Sequence, residues 1–141
     1  MKISQFYPLI QTNDVEGTAA FYMKHFGFKA MFESDWYYHL QSESDEAVNI
    51  TVLKANHETI PSGSRGLTQN LILSFEVEDV DKEEKRLREG GIQVVQPLRD
   101  EPHGQRHVIL KDPNGILIDV IMPIEPSAEF LAGYADEALP A

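Results

Sequence analysis

Residues 69–91 read QNLILSFEVEDVDKEEKRLREGG, and the rest of the chain can be read outward from them. Residues 69–78 have the apolar content of a strand, Asp79 is placed to cap a helix, and Gly90-Gly91 is placed to stop it. The same order occurs earlier. Residues 3–11 read as a strand, in which Pro8 marks an edge or a bulge, and Asn13-Asp14 supplies an N-cap. Val15, Ala19, Tyr22 and Phe26 then recur at helical spacing, and Gly27 sits where a left-handed C-cap belongs. Asp14-Val15 and Asp79-Val80 are 65 residues apart, and Gly27 and Gly91 are 64 apart. Such spacing is an internal repeat.

After each helix the apolar pattern shortens to strand length. Strands are expected at about 28–34, 36–42 and 47–54 in the first half, and at about 92–98, 105–111 and 116–122 in the second. Residues 56–68, with Asn56, Pro61, Gly63 and Gly66, read as a connecting loop, and Asp112-Pro113-Asn114-Gly115 is a strong tight-turn signal. Each half is therefore strand–helix–three strands, an α+β arrangement with modules at about 3–55 and 69–123 of one domain spanning 1–124. A module of about 65 residues has a marginal core, so two should pack together or against a second chain. That arrangement buries the outer helix faces and leaves a curved sheet face as the natural place for a ligand. Residues 125–141 form an acidic tail, expected to hold a short helix and then fray.

Composition narrows the functions available. Of 141 residues, 12 are Lys or Arg and 23 Asp or Glu, a formal net charge of -11. Such a field disfavours general nucleic-acid binding and adhesion to anionic membranes. Cysteine is absent, which removes disulfides, thiolate nucleophiles, Cys-based zinc sites and iron–sulfur clusters. The N-terminus lacks a basic stretch followed by a long apolar run, and the longest apolar stretches are strand-sized; a cytoplasmic location is the expectation.

Several stretches together resemble the vicinal oxygen chelate superfamily, which includes glyoxalase I, extradiol dioxygenases, and fosfomycin- and bleomycin-resistance proteins. They are Thr12-Asn13-Asp14-Val15, Ala20-Phe21-Tyr22, Phe26-Gly27-Phe28, Phe75 to Asp81, Gly90-Gly91, Lys111 to Gly115 and Ile118-Asp119. The resemblance runs from about residue 5 to 123 and implies two βαβββ modules forming a cupped mixed sheet with helices outside, and a homodimer. It also implies a divalent metal in enzymes of the superfamily, held by His, Gln or Glu from inner strands. Laid over this sequence, the four ligand positions fall on Tyr7, Ile50, Ile72 and Asp119. Only Asp119 is a competent hard ligand. A one-residue slip of register offers Asn49 or Thr51, Leu71 or Leu73, and Pro8 or Phe6, and brings no His or Glu.

Arg99-Asp100-Glu101-Pro102-His103-Gly104-Gln105-Arg106-His107 gathers two arginines, two histidines, a glutamine and two carboxylates. Arg99, His103, Gln105 and Arg106 are candidate donors to an anionic or carbonyl-bearing ligand; the plainer reading is a solvated turn in which the arginines pair with Asp100 or Glu101. His103 and His107 with these carboxylates match no metal-site spacing outside a helix. In Trp36-Tyr37-Tyr38-His39, one parity lines the ligand face, either Trp36 with Tyr38 or Tyr37 with His39. Trp36 and Tyr38 are taken as candidates, with core packing as the alternative. Asp119, among Ile116, Leu117, Ile118, Val120 and Ile121, requires a partner or is protonated; it is a candidate anchor for a cationic ligand, and an ion pair with Arg99 or Arg106 is the plainer reading.

The expectation is a metal-independent protein that sequesters a small organic molecule in its cup, as the bleomycin-resistance branch does, with no cofactor, no catalytic residue and no nucleic-acid or membrane partner. A metal-dependent lyase or dioxygenase is the alternative, and a non-catalytic scaffold with a filled cup is a further one.

Overall fold

Two aspartates start the two long helices. The Asp14 carboxylate accepts from the Gly17 N–H at 2.9 Å, opening α1 (Val15–Phe26), and the Asp79 carboxylate accepts from the Lys82 N–H at 3.1 Å, opening α2 (Val80–Glu89). Each satisfies an N–H that the first helical turn leaves unpaired. Gly27 ends α1 at φ 67°, a left-handed conformation that costs glycine little. In a computed structural model, residues 1–140 are described and fall into two units, Met1–Gln69 and a second beginning at Asn70.

The first unit contains β1 (Leu9–Thr12), α1, β2 (Phe28–Glu33), β3 (Tyr37–Ser42) and β4 (Asn49–Lys54) in a four-stranded sheet of order β1-β4-β3-β2. The second contains β5 (Ile72–Glu76), α2, β6 (Val94–Glu101), β7 (Gln105–Lys111) and β8 (Leu117–Pro123), of order β5-β8-β7-β6. In both, the strand before the helix pairs parallel with the last strand, and the other pairings are antiparallel. The two βαβββ modules thus form two four-stranded mixed sheets, and the fold class is the expected α+β one.

Some boundaries move. β1 is shorter than 3–11 because its ladder partner starts late: the Pro8 carbonyl accepts from the Thr51 N–H, and regular pairing begins at Leu9. The second-half strand expected at 92–98 runs instead over 94–101, continuing through the charged residues that were read as a turn. The tail holds α3 (Ala128–Leu131), and it is tied down as far as Tyr134. No helix among the described residues is long and apolar enough to cross a membrane.

In each unit one sheet face is sealed by its helix. Thr12 on β1 meets Thr18 on α1 side chain to side chain, which puts Ile10, Val52, Leu40 and Ile50 on the helix side, all at most 1% exposed. In the second unit Arg106 reaches Asp81 on α2, which puts Val108, Leu110, Ile118 and Val120 on the helix side. Opposite residues line a helix-free face. Asp112 closes the β7–β8 turn: it is buried, and its Oδ1 accepts from the N–H groups of Asn114 (2.7 Å) and Ile116 (2.9 Å). Replacing Asp112 by Ala strands these donors and is expected to lower unfolding free energy by about 2–3 kcal/mol, with Asp112→Asn losing less; urea denaturation of the three proteins checks the order.

Candidate functional site

The helix-free face of the first sheet is polar and aromatic. Tyr37, His39 and Gln41 on β3 alternate onto it, opposite Leu53, Thr51 and Asn49 on β4. A bulge between Ala30 and Phe32 on β2 brings Phe32 opposite His39 on the same face. Asn49 is the hub: its Oδ1 lies 3.0 Å from His39 Nε2 and 3.2 Å from Gln41 Nε2, and its Nδ2 donates to the Glu46 carbonyl. Tyr7, ahead of β1, lays its ring beside His39 with centroids 5.0 Å apart. Burial raises the Tyr37 phenol above its usual range, although a hydrogen bond to Thr51 opposes it.

On the second sheet the helix-free face is ionic. His107 is 7% exposed and stands between two carboxylates: Nδ1 is 2.7 Å from Asp119 Oδ1 and Nε2 is 2.8 Å from Glu101 Oε2. Two irregularities in β6, between Val94 and Gln96 and between Gln96 and Arg99, shift its register by two residues, which sets Arg99 opposite His107 and leaves Arg99 and Glu101 on that face. Arg99 Nε donates to the same Glu101 oxygen at 2.6 Å. Burial by itself would lower the His107 pKa; the hydrogen bonds and charges of Glu101 and Asp119 outweigh it and hold the imidazolium above its ordinary range. Glu101 is held below the ordinary carboxylate range by its bonds to His107 and Arg99.

The C-terminal segment fixes the turn between β6 and β7. Ile124 N–H donates to Gly104 O, Ser127 N–H to Pro102 O and the Tyr134 hydroxyl to His103 O, while Phe130 packs edge-on to the His103 ring. Gly104 has φ 112°, a conformation that favours glycine, and a Cβ there would crowd Ile124 O at 3.0 Å.

The structure redistributes the residues singled out from sequence. Tyr7, Ile72, Arg99, Gln105 and Asp119 lie on or beside helix-free faces, each within its own unit. Ile50 does not: it is 1% exposed on the helix side, and the ligand-matching position on β4 is Thr51, paired with Leu9 as Asp119 is with Ser74. Tyr38 pairs with Val52, also on the helix side, and Trp36 lies in a bend before β3, stacked on His57 at 4.5 Å. The parity lining the helix-free face is therefore Tyr37 with His39. Arg106 is corrected likewise, since it points toward α2 and pairs with Asp81 at 2.7 Å and Asp100 at 3.0 Å. His103 sits in the turn, 3.0 Å from Gln105 Oε1. The Asp119 carboxylate pairs with His107, and neither expected arginine reaches it. His39, Asn49, Glu101 and His107, each weighed in the sequence but not taken as a candidate, also stand on these faces. The alternation of Asn49 and Thr51 with Ile50 and Val52 was a signal available for Asn49.

A family match covers residues 4–120, to the glyoxalase/bleomycin resistance protein/dioxygenase superfamily. The chain belongs to that superfamily. Among solved structures, TioX from Micromonospora sp. ML1 is similar at 21% identity and TM-score 0.72, covering 86% of this chain and 100% of that one. A lactoylglutathione lyase from Agrobacterium tumefaciens is similar at 17% identity and TM-score 0.69, over 86% and 96% of the two chains. A mobile-metagenome protein of V. Pseudocholerae shares 25% identity at TM-score 0.69, over 86% and 96%. No curated protein matches the chain.

Membership makes the metal positions worth testing on this chain's own donors. Tyr7 offers a phenol, the Thr51 hydroxyl already donates to Pro8 O, Ile72 offers nothing, and Asp119 Oδ1 is engaged by His107. Among the described residues no three His, Cys, Asp or Glu side chains converge as a metal set. These residues do not fit a divalent ion.

The paired charges set two expected outcomes. Because the folded His107 pKa lies above the ordinary 6.5, its stabilisation is full below that value and is lost as pH rises through the folded value. Because the folded Glu101 pKa lies below the ordinary 4.5, its stabilisation is full above that value and is lost as pH falls through the folded one. The melting temperature of the wild type relative to His107→Gln should therefore be highest between these limits and converge on either side. Truncation after Pro123 should release the β6–β7 turn, speeding amide exchange at its ends and returning the His107 pKa toward 6.5, as an NMR titration would show.

Proposed function

We propose that this chain binds a small organic molecule on a helix-free sheet face without the aid of a divalent metal. The observation that carries the reading is the donor set at the four family ligand positions, where an isoleucine, a phenol, a hydroxyl already donating to a carbonyl and an ion-paired carboxylate replace a chelating group. Exposed aromatic rings support it, since Tyr7 is 43% and Phe32 51% exposed on the side away from the helix. Such rings bind flat apolar ligands by burial and stacking, and polar neighbours fix the orientation. The superfamily includes bleomycin resistance proteins, and ligand sequestration is consistent with that membership. We extend the reading to a cytoplasmic homodimer, the assembly the resemblance implies.

The test is a thermal-shift screen of aromatic metabolites on protein stripped with EDTA, alongside elemental analysis of untreated protein. A ligand that binds only the native state at about 100 times its Kd adds about 2.7 kcal/mol, a rise of several degrees for a protein of this size. Shifts that survive EDTA are the expected result. A stoichiometric divalent ion whose removal abolishes binding would replace this reading with the metal-dependent lyase or dioxygenase. No shift from any compound would favour a scaffold.

A further inference from the structure

The hydrogen bonds around Asn49 determine which nitrogen of His39 carries its proton. The Glu46 carbonyl can only accept, and both Asn49 Nδ2 (2.9 Å) and Gln41 Nε2 (3.1 Å) donate to it. Turning either amide round would set oxygen against oxygen, so Asn49 Oδ1 must be the acceptor end that faces His39. A hydrogen bond at 3.0 Å to that oxygen requires a proton on His39 Nε2. With the single ring proton on Nε2, the lone pair lies on Nδ1, for which no hydrogen-bond partner occurs among the described residues. The surroundings of His39 are aromatic. Phe32 lies across from it on β2, and the Tyr7 ring lies tilted against it from the β1 side.

We propose that His39 Nδ1 accepts a hydrogen bond from the hydroxyl of a phenol-type ligand whose ring rests among Tyr7 and Phe32. This deepens, and rests on, the metal-independent binding reading above. An acceptor held in one tautomer by a buried amide network needs no reorganisation to receive a donor, so a ligand lacking the donor leaves Nδ1 unpaired and binds less well. A ligand with only acceptors gains nothing there. On the second sheet both nitrogens of His107 are already engaged by carboxylates.

The test uses the full chain and two probes of nearly equal shape, phenol and its methyl ether anisole. Long-range 15N–1H NMR should show the Nε2–H tautomer of His39, and phenol should shift the His39 Nδ1 resonance. Phenol should bind the wild type about tenfold more tightly than anisole. In His39→Leu the two affinities should converge, chiefly through loss of phenol affinity. Equal affinity for the wild type, or the opposite tautomer, would overturn the role of His39 while leaving ligand binding standing; both measurements need only the wild type. Binding of neither probe would overturn this inference, and failure of the wider aromatic screen as well would overturn the binding reading beneath it.

Discussion

In each unit, one helix lies against one face of a four-stranded sheet, and that single contact assigns a side to every residue in the strands. The strand residues that the helix covers must be apolar or internally paired, because burial leaves a polar group no other partner. Ile10, Leu40, Ile50 and Val52 meet that demand in the first unit, and Val108, Leu110, Ile118 and Val120 meet it in the second. Residues of opposite parity do not face the helix, and the polar ones buried there are paired with one another. Tyr37, His39, Asn49, His107 and Asp119 all belong to that set. The same helix that stabilises a module therefore also decides where its chemistry can sit.

This explains why the fold was legible in the sequence and much of the site was not. Capping aspartates, stopping glycines and the 112–115 turn act through local backbone geometry, so their letters are enough to read strand–helix–three strands twice. Side-chain parity is different, because one residue of error reverses the face. Counting from the family motifs placed Ile50 where Thr51 stands, although Ile50 and Val52 against Asn49 and Thr51 is the alternation of a half-polar strand. The registers that the bulges set could not be read. Phe32 reaches the face of His39 only because β2 slips after Ala30, and Glu101 reaches His107 only because β6 slips twice. Nothing local to Met31 announces its slip, and Pro97 marks an irregularity in β6 without giving the register on either side, which pairing with the neighbouring strand decides.

The charged segment 99–107 shows a related effect. Its residues were readable as a cluster, but the sheet divides them between two environments. Arg106 and Asp100 face the helix and join Asp81, while Arg99, Glu101 and His107 lie on the opposite side with Asp119. A cluster in sequence has become two separate ion-pair groups. The tail beyond the family match adds a constraint of its own, since its bonds to residues 102–104 hold the turn that sets Glu101 against His107.

The two helix-free faces consequently differ in what they have left to offer a ligand. On the second sheet, positive and negative groups already satisfy one another, and a newcomer must displace a charge-assisted bond before it can form its own. On the first, the network is neutral, its donors and acceptors are consumed around Glu46 and Asn49, and the lone pair left over on His39 lies beside exposed aromatic surface. Recognition there costs little desolvation and breaks no existing bond. In a chain of net charge -11, the proposed recognition by a hydrogen bond and ring burial avoids the repulsion that an acidic site exerts on an anion. Under the proposed reading selectivity belongs to the first module, while the ionic clasp of the second joins its own strands.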